Sequence, residues 1–302
     1  MKTIYLATDK SCWTERKIRE EKLGGTEGYF LRLRDLLFRN NYDVCDPVLN
    51  EYLGKTDLVI HSNGFDNSRV GKKHLLFAGS WHASVHEPKV DKVIMVSEYM
   101  KQRTGCSRAV VVPPPYEKKI ENYGGFAFSK NRLVSTSNPN RWFQNAFGLA
   151  SILAKKGLSC EWQFAGGNTL YGDGFGECHD FYNRNLGEDV ILIYRGILNR
   201  HDLLGLLSGA HIWVYPNFRD ESETFCAAMI EAAALKIPCV LPRREPFVSV
   251  LPEAFFVDSV KEMANKIEEI LVNGPDRVSY DVSRYSEDVV NIQLLEIIDE
   301  ML

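Results

Sequence analysis

The 302-residue sequence lacks any apolar run near the ~20 residues that span a bilayer, and it has no CxxC pair, no internal repeat and no low-complexity tract. The first absence excludes a membrane-spanning helix. The apolar run in the opening MKTIYLATDKSCWTERK is too short for a secretory signal. A cytoplasmic protein is expected, with peripheral contact at a membrane left open. Cysteine is scattered, at 12, 45, 106, 160, 178, 226 and 239, an odd count that cannot close a disulfide framework, so reduced thiols are expected. Cys178 and His179 are adjacent, the wrong spacing for zinc, and have no further clustered ligands, so no metal site is expected. Gly172, Gly174 and Gly176 in GDGFGECHD follow no strand directly and open no clear helix, which excludes the dinucleotide fingerprint and leaves a loop. RVGKK, at 69–73, reads as a solvated loop.

What is present describes a fully folded chain. Hydrophobic residues make up 45% and charged residues 25%, with 5 Trp, 13 Tyr and 16 Phe, and the length suits two α/β domains better than one small core. The net charge of −4 is uneven. Residues 1–125 carry 20 Lys+Arg against 16 Asp+Glu, leaving 16 against 24 in the remainder. Such a bias speaks to partners rather than to fold, and it fits either an anionic partner of the first half or plain scatter over a solvated surface.

Short apolar runs alternate with amphipathic segments almost from end to end, the pattern of parallel strands with crossover helices. In the first half, strands are expected at 3–8, 57–62, 74–81, 92–97 and 109–114. The helical stripe of Tyr29, Phe30, Leu33, Leu36 and Leu37 marks a helix over 26–41. Three successive prolines, Pro113 to Pro115, and the stretch after them end that unit, because proline neither continues a helix nor donates to a sheet. The second half restarts with strands at 132–137, 161–167, 190–196, 211–216 and 238–242. Helices are expected over 145–157, ended by Gly157, and over 199–210, 224–235 and two segments near the C-terminus. The expected domains are 1–120 joined by a returning helix at 286–302, and 121–285.

In open α/β sheets the loops leaving the C-terminal ends of strands form the ligand crevice. The segment RDESETFCAAMIEAAALKIPCVLP follows such a strand, and it places Asp220, Glu221 and Glu223 on a turn before a helix expected to begin near Thr224. The N–H groups of Thr224 to Ala227 would then form an anion site. Glu231, eight positions after Glu223, would share one face with it, so two carboxylates could converge on one polyhydroxylated ligand. The alternative is an ordinary acidic helix start with a solvated Glu231.

VYPNFRDESETFCAAMIEAAALKIPCVL resembles the segment of glycosyltransferase family 4 that runs through Glu-Gly-Phe-Gly, four residues, Glu-Ala, a small-residue helix and Pro-Val-Val. Glu223, Phe225, Glu231, Ala232 and Pro238 occupy matching positions. YRGILNRHDLLGLLSGAHIWVYP, GGTEGYFLRLRDLLFRNNYDV and VDKVIMVSEYMKQRTGCSRAVVVPPP are similar to further family segments, in order, from residue 3 to about residue 250. The resemblance implies an α/β protein of the GT-B architecture, two Rossmann-like doubly wound domains facing each other across a cleft. It implies a hexosyltransferase that moves a sugar from a nucleotide sugar, a UDP-sugar first, to an acceptor hydroxyl with retention and without metal or cofactor. The donor would lie on the second domain and the acceptor would enter from the first.

By the same resemblance Glu231 would bind the ribose hydroxyls and Glu223 would sit by the transferred sugar. Thr224, Phe225 and Cys226 would face sugar or diphosphate, and Arg141 would stabilise the leaving diphosphate. Gly196, Ile197 and Leu198 would hold the base through main-chain groups, Gly24 and Gly25 would let the phosphates approach, and His82 would lie near the sugar. Three features depart from the pattern. Thr224 and Cys226 replace the two glycines around Phe225, the usual Arg and Lys pair is reduced to Arg141, and the first domain is short. The acceptor is expected among glycans, lipid-linked glycans and hydroxylated nucleic-acid bases, an anionic one suiting the basic first half. A rival reading is a sugar-nucleotide or glycan binding module without catalysis. Glu221 to Glu223 could imitate an acidic metal motif, but its position deep in the second half argues against that.

Overall fold

The computed structural model describes residues 2–7, 25–45, 56–64, 71–80, 83–123, 127–137, 143–166, 184–186, 189–218 and 223–302. Contacts along the chain divide it into two units, residues 1–115 with 283–302, and residues 116–282.

The first unit holds strands β1 (Thr3–Ala7), β2 (Asp43–Cys45), β3 (Thr56–Ser62), β4 (Gly71–Ala78), β5 (Lys92–Met95) and β6 (Ala109–Val111), all parallel, in the order β2-β1-β3-β4-β5-β6. Ile4 to Leu6, Leu58 to Ile60 and Leu75 to Ala78 are buried runs without alternation, as strands covered on both faces require. Helix α1 (Gly25–Arg39) buries Tyr29, Phe30, Leu33 and Leu37. Tyr29 stacks on Phe77 of β4 at 4.2 Å between ring centroids, and Phe30 meets the same ring edge-on at 5.6 Å. Helix α2 (Glu98–Thr104) starts where the Ser97 side chain accepts from the Met100 N–H at 3.1 Å, and it stops at Gly105, whose φ of 62° is the left-handed conformation that a helix C-terminus favours.

The second unit contains β7 (Arg132–Thr136), helix α3 (Phe143–Lys155), β8 (Cys160–Ala165), β9 (Arg184–Leu186), β10 (Val190–Tyr194), helix α4 (Arg200–Ser208) and β11 (Ile212–Val214). Helix α5 (Ala227–Ala234), β12 (Cys239–Pro242), helix α6 (Phe247–Val250), β13 (Phe255–Val257) and helix α7 (Val260–Asn273) complete it. Its sheet runs β13-β12-β11-β7-β8-β10-β9, parallel throughout except for β9. Leaving out β9, this is the 3-2-1-4-5-6 order of dinucleotide-binding folds, and it reverses between β7 and β11. Buried indoles tie β7 to both of its neighbours: Trp162 of β8 donates to Ser135 Oγ and Trp213 of β11 to Thr136 Oγ1, each at 3.0 Å. Helix α8 (Glu287–Met301) belongs to the first unit. It buries Val290, Leu294, Ile298 and Met301, Lys92 pairs with Glu300 at 2.6 Å, and Tyr42 donates to Asp299.

The doubly wound α/β layers agree with the alternation in the sequence, and the differences have simple causes. Strands β2, β9 and β13 were not expected; each spans three residues at an edge of its sheet, too short to leave a pattern, as edge strands often are. Gly71 to Lys73, expected in a loop, open β4 with Lys72 and Lys73 exposed, and Lys72 pairs with Asp57 at 2.6 Å. GDGFGECHD, with Cys178 and His179, lies outside the described residues.

Candidate functional site

The order reversal in the second sheet directs attention to the loops after β7, β8, β10 and β11. Three of them are cross-tied by two main-chain hydrogen bonds and one from a tyrosine side chain. Ser137 N–H donates to Ala165 O at 3.2 Å, Gly166 N–H to Gly196 O at 2.9 Å, and the Tyr194 hydroxyl to Gly166 O at 2.7 Å. Gly166 has φ 134°, and a Cβ there would lie 2.1 Å from Ser137 O, so only glycine allows the loops after β7 and β8 to approach this closely. Gly196, at φ 71°, turns the chain out of β10. Asn199 then caps α4, its side chain accepting from the Asp202 N–H at 2.9 Å, which sets Arg200 at the first helical position.

Arg200 is the focus of the charged groups. Its Nη1 lies 2.8 Å from Glu231 Oε1 on α5, and its Nε lies 3.0 Å from Glu117 Oε1, in the segment that opens the unit. All three side chains are largely buried. Burial works against the Arg200 charge, but the carboxylates of Glu231 and Glu117 outweigh it and hold the guanidinium above its ordinary range. Partial burial likewise raises Glu117, yet the hydrogen bond from Lys119 and the charge of Arg200 prevail and leave it below the usual carboxylate range. Neighbouring contacts fasten the same segment: Tyr123 OH lies 2.8 Å from His201 Nδ1, and residues 118–122 pack against α5.

The turn after β11 differs from expectation. Helix α5 starts at Ala227, three residues later than Thr224, because Cys226 takes φ 69° and ψ 70°, a left-handed conformation that no right-handed helix admits. Glu223 is therefore not on the helix, and its relation to Glu231 is not the shared helical face that the spacing suggested. It is buried before the helix and accepts a hydrogen bond from the Tyr215 hydroxyl, while Glu231 lies in the second turn and faces Arg200. The first helical N–H groups belong to Ala227 onward, so those of Thr224 to Cys226 are not part of a helix start. Cys226 nonetheless explains a departure from the family pattern. The backbone it adopts is the one glycine adopts freely, so the turn keeps a glycine shape at a cost of about 1–2 kcal/mol.

Among the expected residues, Glu223, Thr224, Phe225, Cys226, Gly196, Ile197 and Leu198 lie in strand-end loops of this one unit, and Glu231 in the second turn of α5. Gly25 opens α1 in the other unit. Arg141, His82, Gly24, Asp220 and Glu221 lie outside the described residues. Arg200, Glu117, Tyr215 and Gly166 were not foreseen. The Asn199 and Asp202 capping pattern marks where Arg200 stands, but its acidic partners are remote in sequence. Among the described residues no group of three or more His, Cys, Asp or Glu is arranged to hold a metal ion, and no helix is long and apolar enough to cross a membrane.

No protein-family model and no curated protein matches the sequence. Solved structures match in fold. A sucrose-phosphate synthase from Thermosynechococcus elongatus superposes with a TM-score of 0.70 at 14% identity, covering 100% of this chain and 99% of that one. HepE from Anabaena in complex with UDP-glucose gives 0.65 at 13% identity, with 99% of each chain covered. A glycosyltransferase involved in avilamycin A biosynthesis gives 0.62 at 14% identity, covering 100% of this chain and 98% of that one. The chain has the GT-B fold of these proteins.

Proposed function

We propose that the protein is a hexosyltransferase, similar to glycosyltransferase family 4, that binds a nucleotide sugar on the 116–282 unit and moves the sugar to an acceptor hydroxyl with retention of configuration. The observation that carries this reading is Glu231, on the helix that follows β11 and held by Arg200, which stands two residues after the Gly196 to Leu198 loop. An ionised carboxylate only accepts hydrogen bonds, which suits it to the paired hydroxyls of a ribose. HepE, similar in fold, was solved with UDP-glucose, and this supports a UDP-sugar as the donor.

In this reading the Gly196 to Leu198 main chain receives the base and Glu231 the ribose. Glu223, held by Tyr215, borders the transferred sugar together with Thr224, Phe225, Cys226 and His82. Arg141 meets the diphosphate and stabilises the charge that develops as it leaves, and Gly24 and Gly25 admit the phosphates from the first unit's loop. The bond from the anomeric carbon to the phosphate oxygen breaks as the acceptor oxygen bonds on the same face, and the acceptor's proton passes to the departing phosphate. No metal or further cofactor belongs to this reading. The excess of Lys+Arg in residues 1–125 suits an anionic acceptor. Sedimentation with anionic liposomes would point to a lipid-linked glycan at a membrane surface, and salt-sensitive duplex binding to a modified base in DNA.

The rival reading, a binding module without catalysis, rests on the Thr224-Phe225-Cys226 turn. The glycine-like backbone at Cys226 weakens that argument. The deciding experiment is thermal stabilisation by UDP-, GDP-, ADP- and dTDP-sugars followed by a turnover assay with the donor that binds. Binding raises the melting temperature by mass action, worth about 2.7 kcal/mol at a hundredfold excess over Kd. A shift lost in Glu231→Ala, with turnover, supports a transferase; binding without turnover on any acceptor favours the module; no shift with any nucleotide refutes the transferase and leaves only a glycan-binding module.

A further inference from the structure

We infer that Arg200 is a positioning residue that gives the nucleotide site its selectivity for ribose over deoxyribose. The inference rests on the reading of Glu231 as the ribose carboxylate and adds a residue to it. A glutamate side chain has three rotatable bonds, and a carboxylate free to turn would accept from whichever hydroxyl arrives. Glu231 is not free. Its Oε1 is fixed at 2.8 Å from Arg200 Nη1, and the guanidinium is anchored from behind by Glu117 at 3.0 Å. A planar guanidinium held at two points fixes the carboxylate through a charge-assisted hydrogen bond. Oε2 of Glu231 has no partner among the described residues, which leaves one oxygen in a set direction for a ligand hydroxyl.

The same arginine begins α4 two residues after Leu198, and His201 beside it is held by Tyr123. The loop assigned to the base and the carboxylate assigned to the ribose are thereby linked through one side chain. Charge points the same way. Without Arg200, Glu231 would lose its compensating charge and Glu117 would keep only Lys119, so every anionic nucleotide would bind less well. Geometry adds a separate effect, because a hydroxyl that finds a fixed acceptor discriminates against a ligand lacking it, whereas a wandering acceptor tolerates the loss.

The two effects separate in one measurement on the full-length protein. Dissociation constants are determined by calorimetry for UDP, GDP and ADP, and for the 2′-deoxy counterpart of the tightest. The wild type is expected to prefer the ribose form by about tenfold or more, the worth of a hydrogen bond to a charged group. In Arg200→Gln both forms should weaken and the preference should fall to about twofold, while Arg200→Lys, which keeps the charge but not the fork, should restore affinity more than preference. Glu117→Gln, which leaves the Arg200 to Glu231 contact in place, should reduce the preference by about threefold and serves if Arg200→Gln fails to fold. A preference unchanged in Arg200→Gln, or in Glu117→Gln where the former cannot be purified, overturns the inference while leaving the nucleotide site standing. A wild type that binds none of the three nucleotides overturns the underlying reading as well.

Discussion

The two units repeat one layered plan and distribute their polar groups differently. In the first sheet buried imidazole sits within the strands: His61 of β3, fully buried, meets His74 of β4 with Nε2 and Nδ1 2.9 Å apart. In the second, Ser135 and Gln163 are likewise buried within strands, but Thr136, Asn217 and Glu223 add buried polar groups at or beyond the carboxyl ends of β7 and β11. Packed strands need only satisfied polar groups, whereas a ligand needs them gathered at one end, where loops can be replaced without disturbing the layers. The contrast accords with the proposal that the second unit holds the nucleotide sugar.

The severest test of that contrast is Gly166→Ala. The added methyl meets Ser137 O and the backbone must leave φ 134°, so a loss of about 3 kcal/mol is expected in chemical denaturation. A loss below about 1 kcal/mol would show that the strand-end loops are not tied as described. Next is Glu223→Gln, which keeps the shape and removes the charge beside the proposed sugar site. Turnover of the donor should fall by about a hundredfold or more with the melting temperature little changed, and turnover within twofold of wild type would exclude a catalytic role.

A smaller effect concerns pH and treats the two units alike. Burial holds the imidazoles of His74 and His211 below their ordinary value, although Asp91 and Asp276 pull the other way; Lys89 adds to the lowering at the first, and Lys130 and Arg277 at the second. The unfolded chain therefore binds more protons than the folded protein on the acid side of about pH 6.5. The stability these groups contribute is complete above that value and is lost as pH falls toward their lowered folded pKa values. Melting at about pH 7.5 and about pH 5.5 should show the drop, and His74→Asn and His211→Asn should each reduce it. A drop unaltered in both variants would assign acid sensitivity to other groups. The smallest effect expected is that of Cys226→Gly, where relief of the left-handed backbone offsets loss of a buried thiol, leaving stability within about 1 kcal/mol.

These expectations also mark what a single sequence discloses. Layers and long strands were legible because burial on both faces of a parallel sheet leaves apolar runs such as LVI at 58–60 and HLLFA at 74–78. The helix near Glu231 was legible, but its start was not, since nothing in the identity of Cys226 announces a positive φ. Glu223 and Glu231 stood out by their spacing and took roles from the resemblance, and their placement on separate segments required coordinates. Arg200 illustrates the remaining gap: its partners are 83 positions before it and 31 after it, and no periodicity links residues brought together by the crossing of α4, α5 and the segment at 116–123.

The division of the chain also bears on how it is made. Residues 116–282 form one complete unit, whereas the first unit needs α8, which follows them in sequence. On a ribosome the second sheet can therefore close while the first still waits for residues 283–302, with Lys92 and Tyr42 not yet joined to Glu300 and Asp299. The earlier-translated half is thus the one that draws on residues from both ends of the sequence, and the later-translated half the one closed within a single stretch.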